Sequence, residues 1–429
     1  MSAVLSPGAE IRASTISTPL RKIDVGLIGL GHVGQAVARL IPEAARLEDS
    51  GLRLRVAGAL VRDLERPRRC PKPARLTTNP TAFLRGNYDV VIEALGDAEP
   101  ARTLVARLLG RGIAVVTANK ALVAAHGAEL SAMAARRGTS FRYEASALAG
   151  VPFLGALAAR PLVSDVQQFT AIVNGTSNFI LSTIAADECE FGAALEGARA
   201  RGLTEPDPSR DLDGIDAANK LSLLAGLFGW GRLDAAELDR QGIRDSSAAD
   251  LQAARSLGAT IKPLVHASRD GDAVAAYIGP ALVPFDHPLA SLNGTLSGIQ
   301  LSGRFVSNLF FSGPGAGPDI TAATIVDDAV EAVTSAPVLP RTRRRPLESV
   351  RLTSPQTRWF VSARFPGLTP DPASTERVFA SHGLDVIGVT TIGDRRWLRI
   401  GTASREHVAR SLAAIRDTHR VETHAIRAL

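Results

Sequence analysis

The chain has 429 residues, of which 45% are hydrophobic and 21% charged, with 49 Lys+Arg against 43 Asp+Glu and a formal net charge of +6. At ~100–200 residues per domain, this length holds two or three domains. A globular composition without any apolar run near the ~18 residues of a membrane helix excludes both a disordered chain and an integral membrane protein.

Residues 1–21 are rich in Ser, Thr and Ala, carry a single acid, Glu10, and contain no apolar core of a secretory signal, so a disordered tail is expected. Ile23–Leu30 reads as a strand, Gly29-Leu30-Gly31-His32-Val33-Gly34 as a tight turn, and the stretch through Leu47 as an amphipathic helix. Further strands are predicted at Leu54–Val61, Tyr88–Ala94 and Ile113–Thr117, with helical spacing at Pro100–Leu109. Strands and helices alternating in this way imply a doubly wound parallel sheet of Rossmann type over residues 22–150, completed by about 313–335.

After Gly150 the pattern changes. Val166–Val173 reads as a strand, Phe179 to about Gly229 as mainly helix, and residues 260–312 as antiparallel strands, giving an α+β substrate and dimerisation domain over 151–312. Pro337–Pro346, with Arg341-Thr342-Arg343-Arg344-Arg345, reads as a linker at 336–350. Without interleaved aromatics its arginines do not point to nucleic acid. Residues 351–429 then read strand Trp359–Ala363, helix Ser374–His382, strands Asp385–Thr391 and Trp397–Gly401, helix Arg405–Ile415 and strand Val421–Arg427, the βαββαβ order of a ferredoxin-like domain.

The glycine pattern has its meaning from context. Following a strand and opening a helix, Gly29 permits the turn, Gly31 lets a pyrophosphate approach the backbone, and Gly34 allows close packing of helix on sheet. A positive chain with such a turn suits an anionic dinucleotide as well as nucleic acid. Where an NAD-selective site would carry an acid after the second strand, Arg62 stands instead, placed to meet a 2′-phosphate. NADP is therefore favoured over NAD, the other reading being a solvated surface arginine.

Only five of the basic residues are lysines: Lys22, Lys72, Lys120, Lys220 and Lys262. In so arginine-rich a chain, a lysine inside a motif is a candidate for a task arginine cannot perform, above all losing a proton. Lys120 ends Thr117-Ala118-Asn119-Lys120 at the carboxyl edge of a parallel strand, where ligands bind in open α/β sheets. Asp216 and Lys220 are four apart on a helix whose Leu221, Leu223, Leu224, Leu227 and Phe228 describe burial, with Glu205, Asp207, Asp211 and Asp213 upstream. The alternative is an exposed ion pair worth ~0.3–0.5 kcal/mol. Cys70 and Cys189 lack metal-ligand spacing, which suits a reducing cytoplasm, and the arginines around Cys70 are expected to lower its thiol pKa, in what otherwise reads as a solvated basic loop.

Taken together, Gly29–Gly34, Glu93-Ala-Leu-Gly96, Glu99-Pro-Ala101, Val116-Thr-Ala-Asn-Lys120, Tyr143-Glu-Ala-Ser146, Gly150-Val-Pro152, Asn174-Gly-Thr-Ser-Asn178, Glu205-Pro-Asp-Pro208 through Lys220, and Gly313-Pro-Gly-Ala-Gly317 resemble homoserine dehydrogenases over residues 22–335. The resemblance implies NAD(P)-dependent interconversion of L-homoserine and L-aspartate 4-semialdehyde, on the route to threonine and methionine. It implies catalytic roles for Lys220, which moves the proton, Lys120 beside cofactor and substrate, and Asp216. Glu205, Asp211, Gly175 and Thr176 would bind substrate, and Gly29, Gly31, His32, Val33, Gly34, Arg62 and Lys120 the cofactor. Backbone carbonyls of Glu144, Ala147, Ala149 and Val151 would hold a sodium ion, in a loop bulkier here than the glycine-rich version common in the family.

The chemistry agrees. Lysine at its free pKa of ~10.4 is a poor base, but desolvation and a second ammonium favour its neutral form. Alcohol oxidation should then run faster at alkaline pH, with Lys120 and Lys220 titrating as a coupled pair. The last 80 residues resemble an ACT domain, which implies threonine feedback, although Arg364-Phe-Pro-Gly367 carries Arg where an aspartate is common. A dimerisation module is the other reading. The expected partners are a small-molecule substrate and a second copy in a homodimer or larger homo-oligomer, without nucleic acid or membrane. Two other functions stay open: a catalytically silent nucleotide- and amino-acid-binding regulator, and an oxidoreductase for a different semialdehyde.

Overall fold

Strands covered on both faces are largely apolar, and Val90–Glu93 and Ala114–Thr117, buried at every residue, lie inside the sheet of the first unit. The computed structural model describes residues 20–43, 51–158, 160, 165–335, 350–365 and 371–429. Residues 1–19 of the predicted tail, the stretch of the first helix beyond Glu43, residues 336–349 of the linker and Pro366-Gly367 lie outside the described residues, and Arg21, predicted to end the tail, begins the first strand. In chain order the first unit comprises β1 (Arg21–Ile28), α1 (His32–Glu43), β2 (Leu52–Leu60), β3 (Leu76–Thr77), α2 (Pro80–Leu84), β4 (Val90–Glu93), α3 (Ala98–Gly110), β5 (Ala114–Thr117), α4 (Lys120–Arg136) and β6 (Phe141–Arg142). The strands form one parallel sheet in the order β3-β2-β1-β4-β5-β6, reversing direction of growth between β1 and β4. Ligands of such sheets bind beyond the carboxyl ends of the strands at that reversal.

The second unit runs α5 (Leu154–Ala158), β7 (Val166–Ile172), α6 (Gly175–Asp187), α7 (Phe191–Ala200), α8 (Ser209–Leu212), α9 (Ile215–Leu227), β8 (Asp239–Arg240), α10 (Ala248–Ser256), β9 (Ala259–Asp270), β10 (Ala273–Pro284), β11 (Leu296–Gly303) and β12 (Val306–Pro314). The next helix, α11 (Pro318–Thr334), returns to the first unit, where Ala322, Ile325, Val326 and Ala329 share a core with Ile23, Val25, Leu27 and Val37.

Helix α9 joins the two cores. Its Leu221, Leu224 and Ala225 pack in the second unit's core, while Leu223 packs among first-unit residues such as Leu122 and Val123 of α4, with Leu227 against both cores. A helix apolar on two sides is thus held between two hydrophobic bodies, and its remaining side faces the crevice between them.

The C-terminal unit consists of β13 (Arg351–Thr353), β14 (Thr357–Arg364), α12 (Pro372–Ser381), β15 (Val386–Ile392), β16 (Arg395–Ala403), α13 (Arg405–His419) and β17 (Glu422–Ala428). From the sequence it reads as a module with its own sheet. In the structure its strand order β17-β14-β16-β15 continues the second unit's sheet through β17 on β10, making eleven strands in all. The reason lies in β10, whose twelve residues are paired along their length by β9 on one side. Its other edge, an open row of backbone groups, is covered in pieces by β13, β8 and β17. Arg427 of β17, 2% exposed, pins this seam, its guanidinium 4.5 Å from the ring centre of Tyr277 and 4.9 Å from that of Trp359, with Asp239 as its ion partner.

Candidate active site

The glycine turn sits at the carboxyl edge of β1. Gly29 has φ +94°, which favours glycine, and a Cβ on Gly34 would lie 2.1 Å from the Gly29 carbonyl oxygen, so only glycine lets α1 approach the strand. A Cβ on Gly31 would meet nothing within 4 Å, leaving open space in front of exposed backbone at the start of α1. That open concavity fits a dinucleotide pyrophosphate. His32 is exposed and Val33 half-buried beside it, and Arg62 is exposed just past β2.

A buried acid laces the neighbouring strand ends. Glu93, fully buried at the end of β4, accepts the Leu95 amide at 2.6 Å, the Thr117 hydroxyl and, at 3.4 Å, the Asn119 amide. Burial holds its carboxyl above the usual range despite these donors. Asn119 also donates to the Asp97 carbonyl at 2.7 Å and caps α4 by accepting the Leu122 amide at 3.0 Å. Lys120 consequently becomes the first residue of α4, at the positive end of the helix dipole, which disfavours its ammonium.

Opposite, Asn174 organises the second wall. Its carbonyl oxygen caps α6 by accepting the Ser177 amide at 2.8 Å, while its amide nitrogen donates to Asp211 at 2.7 Å and to Asp216 at 3.1 Å. The predicted pair Asp216 and Lys220 meets at 2.8 Å on α9, and the Lys220 ammonium also donates to the Val173 carbonyl at 2.5 Å. Gly175 opens α6, where a Cβ would come within 3.1 Å of the Thr295 carbonyl oxygen, and Thr176 donates to the Leu203 carbonyl at 2.7 Å. Glu205 is exposed at the rim, near enough to act on Asp211.

The electrostatics follow from this gathering. Lys120 keeps contact with water, but cleft walls crowd its ammonium, and this burial lowers its pKa to about 8. The Lys220 charge pushes the same way, against Asp216 and Asp211. Burial pushes the Asp216 carboxyl up, but Lys220 and then Lys120 outweigh it and leave Asp216 below the usual range. Burial raises Asp211, and the Asp216 charge adds to that rise. Lys220, Asp216 and Asp211 therefore gather on one wall, within electrostatic reach of Lys120, whose neutral form is accessible near pH 8.

Glu144 is buried, and its carboxylate takes the amides of Phe153 (2.8 Å), Leu154 (2.8 Å) and Gly155 (2.6 Å). The Ala149 carbonyl accepts the Thr324 hydroxyl of α11 at 2.5 Å, and the Glu144 carbonyl accepts the Ala147 amide at 3.3 Å. The loop through Ala147 and Val151 is thus fixed, and each carbonyl keeps a second lone pair. Among the described residues no three His, Cys, Asp or Glu side chains are placed to bind a metal. Cys70 departs from expectation, since burial raises its thiol pKa against the lowering by Arg39 and Arg68.

Glu93, Thr117, Asn119 and Asn174 are site residues that the sequence alone does not mark as such. For Glu93 a signal existed, an acid closing the otherwise apolar strand Val90-Val-Ile-Glu93.

Two family models match the chain, "Homoserine dehydrogenase, NAD binding domain" over residues 29–144 and "Homoserine dehydrogenase" over residues 152–330. A homoserine dehydrogenase of Corynebacterium glutamicum is 37% identical over 326 residues, 73% of this chain and 72% of that one. The crystal structure of a homoserine dehydrogenase from Thiobacillus denitrificans superposes with a TM-score of 0.79 at 28% identity, covering 96% of this chain and 99% of that chain. A hyperthermophilic archaeal homoserine dehydrogenase mutant solved in complex with NADPH shares the fold, with a TM-score of 0.60 at 24% identity over 75% of this chain and 100% of that one. An NAD(P)-binding domain joined to a matching catalytic region over this span makes the chain a member of the homoserine dehydrogenase family.

Proposed function

We propose that the crevice interconverts L-homoserine and L-aspartate 4-semialdehyde, with Lys220 as the residue that moves the hydroxyl proton. The observation that carries this reading is Lys220 paired with Asp216 at 2.8 Å, with Asn174 joining Asp216 to Asp211, and the Lys120 ammonium within electrostatic reach at the carboxyl edge of the parallel sheet. A nicotinamide dinucleotide, when bound, supplies the hydride acceptor or donor. Lys220 is held by Asp216 and the Val173 carbonyl. Lys120 presents a second positive charge that favours release of a proton from the pair. Asp211 and Glu205 offer carboxylates to the substrate ammonium, which distinguishes an amino acid from a simple alcohol, while Gly175 and Thr176 line the same wall.

NADP is the cofactor this reading favours, supported by Arg62 where an acid would select NAD. The hard, uncharged oxygens of Glu144, Ala147, Ala149 and Val151 suit a sodium ion. Residues 351–429 are assigned to a ferredoxin-like, ACT-type regulatory domain, 22–150 with about 313–335 to the dinucleotide domain and 151–312 to the substrate domain. The outer edge of β12, which ends the large sheet, supports a homodimer formed by strand pairing. Free Cys70 and Cys189 accord with the cytoplasm, and among the described residues no helix is long and apolar enough to cross a membrane.

Steady-state assay of the pure protein with homoserine and each cofactor, with and without threonine, tests the reading. Homoserine-dependent cofactor reduction with higher kcat/KM for NADP is expected. Tight NADP binding without turnover would identify a silent regulator, and turnover only of a different hydroxy compound would move the substrate class.

A further inference from the structure

Residues 239–244 lie between the C-terminal unit and the turn that separates Asp211 from Asp216. Toward the C-terminal unit, the Asp239 carboxylate holds both Arg405 and Arg427. Gln241 donates its side-chain amide to the Ala425 carbonyl of β17 at 3.0 Å and lies 3.1 Å from His424 Nε2. Toward the site, Arg240 donates to the Asp213 carbonyl at 2.6 Å, the Ile243 amide to the Leu212 carbonyl at 2.9 Å, and Arg244 pairs with the Asp213 carboxylate at 2.5 Å. Gly242 presses so closely that a Cβ there would fall 2.9 Å from the Leu212 oxygen.

The clamped turn is the joint between α8, which carries Asp211, and α9, which carries Asp216 and Lys220. Its Gly214, at φ +72°, is wedged between Ile278 of β10 and the Arg240 side chain. The angle between the four-residue α8 and the thirteen-residue α9, which meet at a glycine, is set by what packs on the joint, since the backbone there has little preference of its own. Residues 239 and 241 contact the C-terminal unit, 240 and 242–244 the turn, and the segment runs along β10 through the Gln241 amide on the Ile278 carbonyl at 2.8 Å, so a shift in how that unit sits on β10 reaches the turn with little slack.

We infer that residues 239–244 form a positioning strap that makes the spacing of Asp211 and Asp216 depend on how the C-terminal unit is seated on β10. Gln241 and Arg240 are its positioning residues, one on each side. The inference rests on the reading that these carboxylates meet the substrate.

The test uses the full chain with Gln241→Ala and Arg240→Met, both outside the binding machinery, and Arg240→Lys, which keeps a donor for the Asp213 carbonyl. Each of the first two raises the KM for homoserine about fivefold, the equivalent of one hydrogen bond, with the KM for NADP unchanged, and Arg240→Lys restores it. Amide hydrogen exchange accelerates in residues 211–220 of both variants but not in β1, β4 and β5. A lower melting temperature with homoserine KM and exchange at 211–220 both unchanged overturns the strap. Should wild-type protein show no homoserine turnover, the functional reading fails, and the exchange pattern alone still decides for or against the strap.

Discussion

At the seam between β10 and β17 and in the catalytic crevice, the protein crowds cations among its own atoms, and it uses different residues in the two places. The seam holds Arg427 between two aromatic rings with Asp239 against it. A planar guanidinium stacks on both faces and never loses its charge. The crevice holds Lys120 and Lys220 among Asp211, Asp216 and backbone carbonyls, with no ring stacked on either among the described residues. An ammonium there can be driven toward its neutral form by burial and by a like charge. Permanent charge serves where the cation fastens two units, and removable charge is what the proposed proton transfer requires of the crevice.

Reciprocal exchanges break or sharpen this contrast. Lys220→Arg keeps a cation beside Asp216 but cannot release a proton at neutral pH, so kcat for homoserine oxidation should fall by about 10³, within the range for loss of acid–base catalysis. Thermal stability should hardly change. Retention of activity within a factor of about ten, read against that same range, would mean that the proton moves elsewhere. Lys120 adds a pH signature. Burial and the Lys220 charge lower its pKa to about 8, so the coupled pair sheds its first proton as pH rises through that value, leaving one amine neutral to take the hydroxyl proton, and alcohol oxidation should climb across pH 8. Lys120→Met should remove this limb from the pH–rate profile.

The opposite swap, Arg427→Lys, retains charge for Asp239 but gives up stacking on Tyr277 and Trp359. Desolvated cation–π contacts are worth up to about 2 kcal/mol, so urea unfolding should report a loss near that size while kcat stays at the wild-type value. Equal losses of kcat in both swaps would erase the distinction between the two regions.

What the sequence made legible follows the range of the interactions. Asp216 and Lys220 are neighbours through helical spacing alone, and the glycine turn through strand, turn and helix signals within a few residues. Those features could be read locally. Glu93, Thr117 and Asn119 meet only because β4 and β5 lie side by side, and Asn174 reaches Asp211 and Asp216 only because the start of α6 converges on α8 and α9. No local pattern encodes such meetings. The joining of β17 to β10 was hidden for the same reason, since the βαββαβ periodicity fixes the unit's internal order but not which foreign edge it covers. At Cys70 the neighbouring arginines were visible in the sequence, and the burial that outweighs them was not.

The smallest expected effect concerns Arg62. The Gly29 amide donates to the Leu60 carbonyl and the Val61 amide to the Thr77 carbonyl, each at 2.9 Å, so β2 delivers Arg62 to the edge beside the glycine turn. Asp63 is turned into its own loop, its carboxylate accepting the Glu65 amide at 2.8 Å. On the proposed reading the Arg62 guanidinium meets the ribose 2′-phosphate, the group by which NADP differs from NAD. Because the side chain is exposed and screened, the contact should lie at the weak end of charge-assisted hydrogen bonds, and Arg62→Ala should lower the NADP-to-NAD ratio of kcat/KM about tenfold. Added salt should erode the wild-type preference in the same direction, while leaving the variant's ratio nearly flat, because only the wild type has an ion pair to screen.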